Sequence, residues 1–121
     1  MAQERYLTHK LKQKIVFLTG AGISKESGIP TFRDYIDGLW ENFSIDEVAT
    51  YDGWEDDPKK VLDFYNDRRS KALECQPNLA HKLIAQLETD DNFEVVIVTQ
   101  NVDDLHERAG SKNVLHMHGS L

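Results

Sequence analysis

The stretch Ile15-Val16-Phe17-Leu18-Thr19-Gly20-Ala21-Gly22 decides the fold. Four apolar residues in a row, two of them β-branched, stop abruptly at glycines. Such a run predicts a strand buried on both faces, the environment of a parallel sheet. Glu94-Val95-Val96-Ile97-Val98-Thr99 has the same character, and Asn113-Val114-Leu115-His116-Met117-His118 is a weaker third case. Helical signals lie between and after these runs. Ser44-Ile45-Asp46-Glu47 fits a capping box that opens a short helix. Pro58 begins a longer helix through Glu74, with Val61, Leu62, Phe64, Tyr65, Ala72 and Leu73 as its apolar positions. Pro77 suits the first turn of another helix, whose Leu79, Ala80, Leu83, Ile84 and Leu87 follow the i, i+3, i+4 rule. Val102 to Ala109 predicts a further helix, with Gly110 suited to its C′ position. Strands alternating with helices predict an α/β fold with parallel pairing and right-handed crossovers. The stretch from Arg33 to Asp57 is long for a simple crossover and marks a functional loop or small subdomain.

Composition sets the outer bounds. The chain has 121 residues, 40% hydrophobic and 29% charged, which suits one globular domain. Lys and Arg number 14 and Asp and Glu 21, a net charge of −7. An acidic chain lacks the basic surface that nucleic acid requires, and it has no pull toward an anionic membrane. No apolar run approaches the ~20 residues of a membrane-spanning helix. The polar start, Met1 to Lys14, has no apolar export core, so a cytoplasmic protein is expected. The single cysteine, Cys75, can form neither an internal disulfide nor a multi-cysteine zinc site.

Four segments carry chemistry. Gly20-Ala21-Gly22-Ile23-Ser24 lets the backbone approach a phosphate at the start of a helix. It departs from the usual G-x-G-x-x-G, since Lys25 follows and the next glycine is Gly28, so a plain tight turn is the rival. In Ser27-Gly28-Ile29-Pro30-Thr31-Phe32-Arg33-Asp34, an aromatic and a cation beside a glycine turn could cover a charged planar ligand. A loop that buries Phe32 and pairs Arg33 with a carboxylate is the alternative. Thr99-Gln100-Asn101-Val102-Asp103 ends the second strand, where ligands of open α/β sheets sit. Asn101 could equally cap a helix with Asp103 in its first turn. His116-Met117-His118-Gly119 ends the third strand, and histidines two apart on a strand share a face. Half a metal site, a general base and a structural role all remain open there. What stands out is convergence: all three strands end in polar or glycine-rich segments, which a parallel sheet collects along one edge.

These four motifs, in order and at matching spacing, resemble the sirtuin family of NAD-dependent protein-lysine deacylases over nearly the whole chain, from Lys14 to Leu121. Val102 stands where the family often has Ile. The resemblance implies the amino-terminal portion of a Rossmann-like parallel sheet with flanking helices and a helical cofactor-loop insertion. It implies that Gly20, Ala21 and Gly22 hold the NAD pyrophosphate. Thr31, Phe32 and Arg33 would belong to a loop that closes over the nicotinamide ribose. Gln100 would contact that ribose, and Asn101 and Asp103 would line the nicotinamide pocket. Ile23, Trp40 and Val102 are counted with the cofactor-binding residues. His118, rather than His116, matches the catalytic base, which deprotonates a ribose hydroxyl. The products are free lysine, nicotinamide and O-acyl-ADP-ribose.

Tyr65 and Arg68, three apart on one helical face, resemble the Tyr-x-x-Arg pair of the class that removes succinyl and malonyl groups. Acylated-lysine proteins or peptides are therefore the expected substrates. An NAD-cleaving relative and a non-catalytic NAD- or ADP-ribose-binding module are the alternatives. The family's catalytic domain runs well past His-Gly, so residues 1–121 are expected to be a partial domain. Alone, it would leave the edge of its first strand unpaired and its activity impaired. The residues present give no support for zinc.

Overall fold

A computed structural model describes residues 11–31 and 45–121. Phe32, Arg33, Trp40 and Ser44 of the expected capping box lie outside the described residues. The elements run in the order β1 (Gln13–Thr19), α1 (Ala21–Lys25), α2 (Ile45–Val48), α3 (Tyr51–Asp56), α4 (Pro58–Glu74), α5 (Leu79–Glu88), β2 (Phe93–Thr99), α6 (Leu105–Arg108) and β3 (Val114–His116). The three strands form one parallel sheet in the order β1-β2-β3. The register sets Ile15, Phe17 and Thr19 beside Val95, Ile97 and Thr99, and Ile97 and Thr99 beside Val114 and His116.

Side chains alternate across a strand, so that register gives the sheet two distinct faces. α5 packs on β2 and against α6, over the face that carries Val95, Ile97 and Thr99. Ile97 is 1% exposed and Leu105 of α6 is fully buried. Each such side chain contributes about 1.5–3 kcal/mol relative to exposure. The opposite face carries Val16 at 56% and Leu18 at 68% exposure. The first strand is therefore not buried on both faces as expected: it is an edge strand of the described sheet, and the helices packed on that sheet lie on the Ile97 side.

The helices show why some boundaries are sharp. The Asp57 side chain accepts from the Lys60 amide at 3.0 Å and Pro58 occupies the first turn, so α4 starts where its sequence predicts. Pro77 falls one residue before the N-cap of α5 instead of inside its first turn. Asn78 is the cap, in a reciprocal box with His81. The buried face of α5 also differs from the apolar pattern. His81 and Ala85 are buried, whereas Leu79 is 68% and Leu83 54% exposed. The box turns the His81 ring back to the helix start, and His81 and Ala85, four apart, form the buried stripe. The predicted helix from Val102 shortens to Leu105–Arg108, because Asn101 and Asp103 commit their side chains elsewhere. Gly110 (φ 111°) ends α6 as expected, its amide bonded to the Glu107 carbonyl at 2.9 Å. Among the described residues, no helix is long and apolar enough to cross a membrane.

Candidate active site

Parallel strands bring Gly20, Gln100 and Met117 to one edge. The ladder continues into the loops: the Gln100 amide donates to the Thr19 carbonyl at 2.9 Å, and the Met117 amide to the Thr99 carbonyl at 3.0 Å. β1 passes straight into α1 through Gly20. A Cβ at Gly20 would meet only Gln100 Oε1, at 3.7 Å, and one at Gly22 would meet nothing within 4 Å. The two glycines therefore keep the outer side of the turn bare, so a ligand can reach the backbone. At Gly28 the chain adopts φ 97°, which a side chain disfavours, and this turn ends α1 and sends the chain toward Pro30.

A buried knot of polar groups joins the first and second strand ends. Asn101 Nδ2 donates to the Gly20 carbonyl at 3.0 Å and to Ser24 Oγ at 3.2 Å. Ser24 Oγ donates to Asp103 Oδ2 at 2.9 Å. Asp103 Oδ1 accepts from the Leu105 amide at 3.1 Å, and the Asn101 amide donates to Thr99 Oγ1 at 3.1 Å. Ser24, Asn101 and Asp103 are 1%, 8% and 6% exposed. Polar groups buried to that degree cost free energy unless bonded, so the network fixes the glycine turn against the 101–104 loop. Asn101 thus caps no helix. Its amide spans two segments about 80 positions apart in sequence.

Behind this knot sit residues that the sequence reading missed. Asn78 Nδ2 donates to the Ile23 carbonyl at 2.6 Å and to Ser27 Oγ at 3.0 Å, pinning the exit of α1 to the start of α5. His106 Nε2 lies 2.9 Å from Thr19 Oγ1, and its ring meets that of His81 edge-on at 5.0 Å. Both rings are fully buried. The Asn78 amide donates to His81 Nδ1, which leaves the ring proton of the neutral form on Nε2. The signals were an Asn directly before an apolar-periodic run and a histidine within it.

Burial pushes the pKa of His81 down, and neighbouring His106 adds to the effect. Burial also lowers His106, against a partial pull upward from Asp103 and Glu107. A folded pKa below the ordinary 6.5 means the unfolded chain binds more protons once the pH drops beneath 6.5. Stability is then full above that pH and falls as pH falls toward the depressed values, by up to about 1.4 kcal/mol per histidine per pH unit. The urea midpoint is expected to drop between pH 6.5 and 5.5, above the range where most carboxylates titrate. An unchanged midpoint over that interval would contradict neutral buried rings.

A cavity of about 840 Å³ has Gly28, Ile29, Pro30, Arg68, Val102 and Asp103 in its wall. Its size suits a cofactor or substrate pocket. Thr31 is half-buried at the end of this described segment, and Gln100 is exposed at the edge. Arg68 stacks over Phe64, its Cζ 4.9 Å from the ring centre, while Tyr65 meets Phe64 edge-on at 5.3 Å. The structure brings Arg68, but not Tyr65, to the cavity wall. His116 and His118 do not share a strand face. β3 ends at His116, and the Gly119 amide closes a turn on the His116 carbonyl at 3.2 Å, leaving His118 exposed in that turn. His116 Nδ1 donates to the Asn101 carbonyl at 2.8 Å, and Nε2 pairs with the Glu107 carboxylate. Among the described residues, no three His, Cys, Asp or Glu side chains gather as a metal cage.

A parallel sheet with a bare glycine turn, and with polar loops beside a cavity at its carboxyl edge, is the arrangement in which open α/β proteins take their ligands. More narrowly, the chain belongs to the Sir2 family, whose model matches residues 20–121. It is 60% identical over 109 residues to an NAD-dependent protein deacylase of Helicobacter pylori, an alignment covering 90% of this chain and 46% of that protein. Among solved structures, it resembles a mutant Sir2 homologue in complex with ADP-ribose, with TM-score 0.79 and 51% identity over 91% of this chain and 43% of the other. A Sir2 homologue–NAD complex matches with TM-score 0.79 and 48% identity, over 98% of this chain and 46% of that one. The chain spans about half the length of the relatives it matches.

Proposed function

We propose that this chain is the part of an NAD-dependent protein deacylase that binds the cofactor and carries the base. The observation that carries this reading is the knot of Gly20, Ser24, Asn101 and Asp103, which ties the glycine turn to Asp103 on the cavity wall. The residues present suit NAD: Gly20 and Gly22 leave backbone accessible to a pyrophosphate, and Val102 and Asp103 form the adjoining wall. Bound there, NAD supplies a ribose carbon that becomes electrophilic as nicotinamide leaves. The chain's own part is to orient that ribose and to exclude water, with Gln100, Asn101 and Asp103 at the nicotinamide end and Thr31, Phe32, Arg33 and Trp40 as further cofactor-binding residues. His118, in the turn after the third strand, takes the ribose hydroxyl proton.

The test is nicotinamide release by the protein as its gene encodes it, with and without an acetyl-lysine peptide. Release is expected only with peptide. Peptide-independent release would make the protein an NAD-cleaving relative, and binding without release a passive NAD or ADP-ribose module. A cytoplasmic location fits a chain with one cysteine.

The finer reading is removal of succinyl and malonyl groups as well as acetyl. Arg68 on the cavity wall supports it, because a guanidinium can hold a carboxylate in a two-point contact. Arg68→Met, alone or with Tyr65→Phe, is expected to lower desuccinylation about tenfold. Deacetylation should hold within about threefold, since an acetyl group offers no carboxylate. Equal loss on both substrates, or no loss on either, would sink this preference.

A further inference from the structure

We propose that His116 is a positioning residue of this site: clasped between the Asn101 carbonyl and the Glu107 carboxylate, it sets where Asn101 presents its side-chain amide. The inference rests on the deacylase reading and extends it to a residue to which that reading gives no role. Its basis is directional. A backbone carbonyl can only accept, so His116 Nδ1, 2.8 Å from the Asn101 oxygen, must carry a proton. That leaves Nε2 against the Glu107 carboxylate. A bare ring nitrogen there would set a lone pair against an anion. A protonated one makes a charge-assisted bond. The clasp is therefore complete only in the imidazolium form, and the ring is sheltered, its side chain 15% exposed.

Burial by itself would push the His116 pKa down, but the bonds to Asn101 and Glu107, with the charges of Glu107 and Asp103, outweigh it and raise the value above 6.5. The ionisable groups acting on the ring are thus Glu107 of α6 and Asp103 of the preceding loop, with His106 of α6 as the neighbouring cation-forming group. Asn101 is the shared member of two assemblies. Its carbonyl is held by His116, while its side chain holds Gly20 and Ser24. Losing the ring proton as pH rises opposes the carboxylate with a lone pair and loosens the carbonyl clasp. The glycine turn then loses its fixed distance from the 101–104 loop.

The experiment compares wild type, His116→Leu, His116→Gln and Glu107→Gln in the full-length protein, measuring KM for NAD, KM for acyl-lysine peptide, and kcat across pH 6–9. His116→Leu is expected to raise KM for NAD about tenfold, with peptide KM and kcat within about threefold. His116→Gln, which retains one donor, should recover most of that loss. In wild type KM for NAD should rise on the alkaline side. Glu107→Gln should bring that rise to lower pH, and His116→Leu should abolish the pH dependence. Nitrogen-15 spectra of the histidine rings supply a readout independent of turnover: the doubly protonated His116 ring should persist above pH 6.5 in wild type and give way at lower pH in Glu107→Gln. A wild-type ring already singly protonated at pH 6.5, an unchanged NAD KM in His116→Leu, or an equal rise in both KM values would overturn the proposal. Wild type that releases no nicotinamide overturns the deacylase reading instead, and the ring spectra still decide whether the clasp exists.

Discussion

Asn101→Ala is expected to lower kcat/KM for NAD by about 10²- to 10³-fold in the full-length protein. The amide makes the two bonds that bridge the first and second strand ends, to Gly20 and to Ser24. Alanine leaves the Gly20 carbonyl without that donor, at a cost of about 1–3 kcal/mol where the group stays buried. Ser24 keeps its bond to Asp103, so the residue above the turn stays anchored while the turn itself does not. A displacement of about 1 Å in a group that orients substrate is enough for a 10²-fold loss. The effect should fall on NAD rather than on acyl peptide, because the knot holds the segments proposed to bind the cofactor. Steady-state nicotinamide release at varied NAD checks it, with circular dichroism confirming the fold. An Asn101→Ala protein within threefold of wild type would mean that the knot is only structural. Asp103→Asn is the informative companion. It keeps the shape and the oxygen for the Leu105 amide but turns an NH2 donor toward Ser24 Oγ, which loses its acceptor, while the Asn101–Gly20 bond remains, so a smaller loss is expected.

Much of the frame was legible because its signals are local. Ile15–Leu18 and Glu94–Thr99 read as strands from composition alone, and the observed strands extend them by two residues or fewer at each end. Asp57 and Pro58 mark the start of α4 to the residue. The site was half legible. Glycines after one strand and Gln100-Asn101 after another announced the edge, since a parallel sheet must bring strand ends together. The partners could not be read this way. Ser24 reaches Asn101 and Asp103 across 77 and 79 positions, and no periodicity carries such a pairing. The buried histidines were misleading for a related reason. His81 and His106 look like surface residues in a hydropathy pattern, yet their polar atoms are partly satisfied by Asn78 and Thr19, which only the fold brings near. The helix predicted from Val102 starts only at Leu105 because Asp103 spends one oxygen on Ser24 and the other on the Leu105 amide, holding 101–104 out of helical geometry.

Gly53→Ala is expected to destabilise the protein by about 2–3 kcal/mol, although alanine is the better helix former. Gly53 lies in α3, its amide bonded to Thr50 Oγ1 at 3.0 Å, and it is buried. A Cβ there would stand 2.4 Å from the Glu47 carbonyl oxygen and 2.6 Å from that of Asp46. Those atoms are backbone, so no side-chain rotation can relieve the overlap. The end of α2 must move away, and Val48, 1% exposed, moves with it. Lys60 of α4 pairs with Glu47 at 3.1 Å, so the displacement reaches the helix that carries Arg68. The gain of about 1 kcal/mol from replacing a helical glycine offsets part of the cost and does not reverse it. A lowered urea midpoint and lost amide protection at Val48 and Gly53 are the expected readings. Wild-type stability in Gly53→Ala would show that α2 yields without cost, and that glycine is not required at this crossing.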